Sequence, residues 1–280
     1  MPITLKKLIK KETVVMPGAY NAATAMLIKE AGFKAVYISG AGLANSCGLP
    51  DTGLLSLEET VLLSSYITAA VDCPTLVDVD TGFGGPLSVK KTVRAFEAIG
   101  AGAVQIEDQE FPKRCGHLDN KRVVPAREFA KKIKAAVASR NNTDFLIVAR
   151  TDSRAGEGMD AAVERALIYL DAGADMIFPE ALLDKREFTQ FATAIKAPLV
   201  ANMTEFGKTP YITADEFAGI GYNIVLFPMT CFRLAMRSVE TALGELKAKG
   251  TQKRLLNKMQ TREALYKLLG YSPDGGAKKK

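Results

Sequence analysis

The chain predicts a closed parallel α/β barrel, a (β/α)8 TIM-type fold with extra C-terminal helices, and three observations lead there. Eight short apolar runs rich in β-branched residues alternate with amphipathic helical patterns along the whole sequence. Glycines able to end a helix (Gly32, Gly100, Gly173 and Gly221) lead into alternate strands, the second, fourth, sixth and eighth. No glycine-rich dinucleotide fingerprint follows the first strand, which argues against an open doubly wound sheet.

Taken in order, strands are expected over 14–16, 35–39, 75–80, 104–108, 145–150, 176–180, 199–204 and 224–229. The helices between them carry start signals. Ser56 with Glu59, and Thr213 with Glu216, have capping-box spacing. Ser88 can cap a helix whose Val89, Val93 and Phe96 share one face. Pro125 suits a first helical position, with Phe129, Ile133 and Val137 recurring behind it. Two helical stretches, 231–249 and 251–269, follow the last strand, and the second exceeds what one barrel needs. The expected organisation is a catalytic barrel over 1–250, a helical extension over 251–274 and a disordered tail over 275–280.

Charge excludes more than it suggests. The net charge is +6, but residues 1–12 and the last six residues each contribute +3, so the stretch between is formally neutral. The excess belongs to the two ends and predicts neither a nucleic-acid nor a membrane surface. Four scattered cysteines (Cys47, Cys73, Cys115 and Cys231) form neither a disulfide framework nor a zinc-finger spacing. With reduced thiols, no apolar signal core and no membrane-length apolar run, the expected location is the cytoplasm.

Barrel enzymes place their chemistry at the C-terminal ends of the strands. Here those ends are polar: Tyr37 and Ser39, Asp78 and Asp80, Glu107, Arg150, Glu180, Asn202 and Thr204, with Arg233 after the last strand. Asp78 and Asp80, two apart on a strand, are expected on one side of it. With Glu107 nearby they would repel unless a cation offsets them, and hard oxygen donors favour magnesium, or manganese as a substitute. Arg150 and Arg233 can each grip a carboxylate. A long loop over 109–124 sets Cys115 among Lys113, Arg114 and His117, the only histidine. Cationic neighbours lower a thiol pKa, so this thiol is expected to exchange a proton near neutral pH. A cation plus guanidiniums and a thiol describe a pocket for a small polycarboxylate.

At these residues the sequence resembles the isocitrate lyase / phosphoenolpyruvate mutase superfamily and, within it, the 2-methylisocitrate lyase family. The likeness runs through Ser39-Gly40-Ala41-Gly42, Gly48-Leu49-Pro50-Asp51, Val77-Asp78-Val79-Asp80, Ile106-Glu107-Asp108-Gln109, Lys113 to His117, Ala149-Arg150-Thr151-Asp152, Phe178-Pro179-Glu180-Ala181, Asn202 to Gly207 and Met259-Gln260-Thr261-Arg262. Ala41 stands where close relatives carry glycine, and Cys47 is outside the family pattern. The resemblance implies a magnesium-dependent barrel whose eighth helix is exchanged between subunits of a homotetramer. It implies cleavage of a tricarboxylate, (2S,3R)-2-methylisocitrate, to pyruvate and succinate in propionate catabolism by a retro-aldol-type step. It also implies site roles. Asp78 and Asp80 would hold magnesium with Glu107 behind them, and Cys115 would donate a proton. Ser39, Gly40, Ala41, Cys115, Gly116, Arg150, Glu180, Asn202, Thr204, Arg233 and Arg262 would bind substrate. Tyr37 and Asp51 are both candidates for the base.

Isocitrate lyases share the cysteine loop but carry insertions for which 280 residues leave no room. Another 2-hydroxydicarboxylate lyase of the same branch is a second alternative. A catalytically silent binding barrel is a third, and the intact carboxylate, thiol and guanidinium positions argue against it.

Overall fold

Eight parallel strands form the centre of the computed structural model, which describes residues 3–118 and 120–272. The tail predicted over 275–280 lies outside the described residues. The strands are β1 (Val14–Ala19), β2 (Val36–Ile38), β3 (Thr75–Asp78), β4 (Ala103–Glu107), β5 (Leu146–Thr151), β6 (Met176–Pro179), β7 (Val200–Asn202) and β8 (Ile224–Phe227). Their hydrogen-bonded order is β6-β5-β4-β3-β2-β1-β8-β7. A parallel bridge from Ile177 to Leu199 then brings β6 to β7, so the sheet closes into a (β/α)8 barrel.

All eight predicted strands are present. Several predicted ends run past the observed ladder, because Asp80, Thr204 and Met229 leave it to build the loops above the barrel. Between the strands lie α2 (Ala22–Glu30), α3 (Gly40–Ser46), α4 (Leu57–Ala70), α5 (Pro86–Ala98), α6 (Ala126–Ser139), α7 (Arg154–Asp171), α8 (Lys185–Ala194) and α9 (Ala214–Ile220). A short α1 (Leu5–Leu8) precedes β1, and α10 (Thr230–Lys249) and α11 (Arg262–Leu269) follow β8.

Strand alternation sorts the apolar residues into two cores. Val36, Ile38, Val77, Val104, Ile147 and Ile177 face the surrounding helices. Tyr37, Leu76, Ala103, Val148, Met176, Phe178, Val200 and Leu226 fill the barrel interior, which Leu5 and Leu8 of α1 join. Val89, Val93 and Phe96 of α5 are fully buried, as their spacing predicted.

Both predicted capping boxes form, at Ser56 with Glu59 and at Thr213 with Glu216. Gly32, Gly100, Gly173 and Gly221 all have φ between 81° and 106°, a turn only glycine makes without strain. Three expectations are corrected. Gly85, not Ser88, is the cap of α5, because Pro86, with no N–H to satisfy and a preset φ, opens the helix two residues before Ser88. Pro125 is the cap residue of α6 rather than its first member. The stretch 251–269 is not one helix: a 3-10 turn (Lys253–Lys258) ends at an extended Met259, and Thr261 then caps α11. No described helix is long and apolar enough to cross a membrane.

Candidate active site

On β3, β5, β6 and β7 the inward positions turn from apolar to polar only at the last step. Leu76 is followed by Asp78, Val148 by Arg150, Phe178 by Glu180 and Val200 by Asn202, while β4 offers Gln105 and then Glu107. The apolar layers seal the barrel below, and the polar layer forms the floor of a cavity of about 360 Å³ above it. Tyr37, Ser39, Ala41, Asp51, Asp78, Cys115, Gly116, Arg150, Glu180, Asn202, Thr204 and Arg233 line this cavity. Gly40 sits close behind Asp78, where a Cβ would come within 3.0 Å of its carboxylate. Arg262 is not brought there: it is exposed in the first turn of α11.

Asp78 and Asp80 do not share one side of a strand. β3 ends at Asp78, and Asp80 takes a left-handed φ of 49°, its backbone N–H donating to Asp78 Oδ1 at 3.3 Å. Asp78 therefore faces the cavity, whereas Asp80 is reached through Lys113, whose ammonium lies 2.5 Å from both Asp51 and Asp80. Burial would lower the Lys113 pKa, but Asp80, Glu107, Asp51 and Asp78 hold it well above its usual value.

The remaining carboxylates are short of positive charge. Burial pushes the Asp78 carboxyl up to about 6, against the pull of Lys113 and with the push of Asp80. Glu107 is fully buried, raised well above the usual range by that burial, and neither of its oxygens has a hydrogen-bond partner among the described residues. Arg150 Nη1 lies 3.3 Å from Oε2, and Arg150 and Lys113 pull the carboxyl down without overcoming the burial. Among the described residues no three His, Cys, Asp or Glu side chains converge into a ready-made metal shell. The donor set still fits a hydrated magnesium ion, which keeps several waters and reaches some carboxylates through them. Orphaned Glu107 oxygens and a destabilised Asp78 anion are what such an ion would relieve.

Arg150 is held in place by the chain's own groups. Its Nε and Nη2 donate to the two oxygens of Asp152 at 2.8 and 3.0 Å, and its guanidinium lies over the Phe178 ring. Burial alone would raise the Glu180 carboxyl, but Arg150, His117 and Lys121 hold it well below the usual carboxylate range. Asn202 Nδ2 donates to the same carboxylate at 3.2 Å. Arg233, in the first turn of α10, is half exposed at the rim, 3.5 Å from Glu205 and over the Phe206 ring.

The cysteine loop is folded down over this floor. A Cβ on Gly116 would lie 2.3 Å from Arg150 Nη2 and 2.6 Å from Glu180, so only glycine lets the backbone come so close. His117 places Nε2 2.8 Å from Glu180 Oε1, and its Nδ1 accepts from the Lys208 backbone N–H at 3.0 Å. The expectation of a lowered thiol pKa is overturned. Burial pushes the Cys115 thiol up, the His117 backbone N–H only partly offsets it, and Asp51 and Glu180 push it further. The basic side chains beside it in sequence turn elsewhere: Lys113 to Asp51 and Asp80, and His117 to Glu180.

Sequence reasoning missed three members of this arrangement. Gln105 donates to Asp78 Oδ1 at 3.1 Å and accepts from the Tyr37 hydroxyl at 3.2 Å. Its place two residues before Glu107 on one strand was the available signal. Asp152, two residues after Arg150 and so on the same side of the chain, was legible only as an ion-pair partner for Arg150, and Lys121, which meets it at 2.7 Å, lies in a loop that carried no signal.

A family model described as phosphoenolpyruvate phosphomutase matches residues 5–247. A 2-methylisocitrate lyase of Aeropyrum pernix is 53% identical over 270 residues, 96% of this chain and 87% of that protein. A 2-methylisocitrate lyase of Bacillus subtilis is 49% identical, over 91% of this chain and 84% of that protein. Among solved structures, 2,3-dimethylmalate lyase superposes with a TM-score of 0.91 at 32% identity, covering 99% of both chains. Phosphonopyruvate hydrolase in complex with oxalate and Mg++ superposes at 0.86 with 29% identity, covering 96% of this chain and 95% of that one. Matching along nearly its whole length in both sequence and fold, this chain belongs to the 2-methylisocitrate lyases, carbon–carbon-cleaving enzymes of the phosphoenolpyruvate mutase / isocitrate lyase superfamily.

Proposed function

We propose that the chain cleaves (2S,3R)-2-methylisocitrate to pyruvate and succinate, the lyase step of propionate breakdown, as a cytoplasmic homotetramer. The observation that carries this reading is the folded-down thiol loop facing a floor of Arg150, Glu180 and Asn202 beside under-neutralised carboxylates. Such a floor suits a small polyanion that brings a divalent cation with it.

Asp78 and Asp80 would hold magnesium, or manganese in its place, with Glu107 behind. When bound, the ion supplies Lewis acidity to the oxygens next to the scissile bond. The chain's own groups do the rest. Arg150 and Arg233 grip carboxylates, Asn202 and Thr204 orient them, and Ser39 to Ala41 approach from the N-terminus of α3. Arg262, exposed on α11 and absent from the cavity lining, would reach a substrate from another subunit of the proposed tetramer. Tyr37 is buried, and that burial together with the Asp78 charge pushes its phenol well above the ordinary value, so it holds its proton and donates. Asp51, beside Lys113, is then the better placed acceptor for the substrate hydroxyl proton. As that proton leaves, the hydroxyl-bearing carbon becomes the pyruvate carbonyl. The electrons of the broken C–C bond pass to the succinate half as an aci-carboxylate carbanion, and Cys115 gives it a proton. A thiol raised by burial suits that task, because a donor must be protonated when the bond breaks.

The test is pyruvate release with magnesium from 2-methylisocitrate, isocitrate and 2,3-dimethylmalate, each repeated with excess chelator. The reading requires the first acid to be preferred and chelator to abolish turnover. Preference for either of the other acids, or full activity in chelator, would overturn it.

A further inference from the structure

Lys121 lies on the descending limb of the cysteine loop, yet its side chain is only 2% exposed. Its ammonium donates to two groups on different parts of the molecule. One is the Gly116 carbonyl, beside Cys115. The other is Asp152 Oδ1, at 2.7 Å. Asp152 is itself immobilised: its two oxygens take Arg150, and its backbone N–H donates to the buried Asp108 at 2.9 Å. We propose that Lys121 is a positioning residue, tying the backbone of the thiol-bearing loop to the Asp152 carboxylate that orients Arg150, so that the proton donor and the substrate grip are held in one register.

The physical case rests on what each contact can do. An ammonium has three donors and no acceptor, so it can join a carbonyl and a carboxylate in a way no neutral side chain of that length can. The Gly116 carbonyl belongs to the residue packed hardest against the floor, and pulling on it sets the depth of Cys115 directly. The other loop contacts fall on different points: Lys113 holds the approach to the thiol, and His117 holds the side facing Glu180. Without Lys121, Asp152 keeps its two bonds from Arg150, so the barrel does not lose a sole counter-charge. The expected consequence is a loosened loop on an intact fold.

This inference rests on the proposed lyase reading for its catalytic part only, and its test separates the two. Lys121→Met keeps the length and removes the charge, while Lys121→Arg keeps a cation that can bridge both groups. Each variant is treated with iodoacetamide, and alkylation of Cys115 is followed by peptide mass spectrometry, with the exposed Cys47 as reference in the same chain. Losing a charge-assisted hydrogen bond of this kind shifts local opening roughly ten- to a hundredfold. The Cys115 rate in Lys121→Met should rise by that factor while the Cys47 rate holds, and Lys121→Arg should return it most of the way. With 2-methylisocitrate and magnesium, kcat should fall at least about tenfold in Lys121→Met with a smaller change in KM, and recover in Lys121→Arg. A Cys115 rate within about twofold of the parent, a parallel rise at Cys47, or no recovery with arginine overturns the proposal. If the parent releases no pyruvate from this acid, the lyase reading fails, and the ratio of Cys115 to Cys47 alkylation still decides the role of Lys121.

Discussion

Cys115 shows how far a residue's chemistry depends on where its neighbours point. Cations at sequence distances of one and two suggested a thiolate, but Lys113 and His117 turn to carboxylates, and burial pushes the thiol up. Replacing Cys115 with serine keeps the shape and raises the donor's pKa much further. Cleavage should fall by about 10²- to 10⁴-fold, while calorimetry shows magnesium and substrate still binding; turnover within a few-fold of the parent would contradict the donor role. The pH profile follows with a definite sign. A general acid works below its own pKa, so a raised thiol pKa carries the kcat plateau upward. The alkaline loss of kcat should begin above the ordinary thiol range, and a loss setting in below about 8 would show a thiol that is not raised.

At the scale of elements, the junction of β4, β5 and α7 is the support on which the site stands. Asp108, at the end of β4, accepts from Tyr169 on α7 at 2.7 Å, from Thr151 on β5 at 2.8 Å and from the Asp152 backbone at 2.9 Å, with Arg165 at 3.4 Å. Replacing Asp108 with alanine strands buried hydroxyls and a backbone donor. Urea unfolding should show a loss of about 2–4 kcal/mol, with asparagine costing less. The β6 and β8 ends bring Phe178, Leu226 and Pro228 to the same cavity as the charged groups. That apolar wall should favour the methylated acid over isocitrate by about 1–3 kcal/mol, roughly ten- to two-hundredfold in kcat/KM. Equal kcat/KM for the two acids would mean the wall does not meet the methyl group.

For the whole molecule, α10 is the telling element. It runs for 20 residues with none buried, and Leu234, Met236, Val239, Leu243 and Leu246 are exposed along it. Exposed apolar side chains along a helix this long mark a face that calls for a partner, and exchange of the helix between subunits, as proposed for the homotetramer, would cover it. Sedimentation should show an assembled species, and Leu243→Glu should lower its mass. An unchanged mass, or a monomeric parent, would remove the basis for exchange.

Alternating runs, two capping boxes and four helix-ending glycines were enough to give the eight-strand barrel, because local hydrogen bonding and strand periodicity act over a few residues. The same periodicity put Tyr37, Arg150, Glu180 and Asn202 on one polar layer, since all occupy inward positions at strand ends. Pairing was another matter. That Asp80 leaves the strand with a left-handed φ, that Lys113 serves two aspartates, that Gln105 joins Tyr37 to Asp78 and that Lys121 reaches Asp152 all depend on segments far apart in the chain being brought together. Residue spacing determines which side of an element a side chain leaves from. Only closure of the barrel decides which charges meet there, and burial then decides which of them keep their protons.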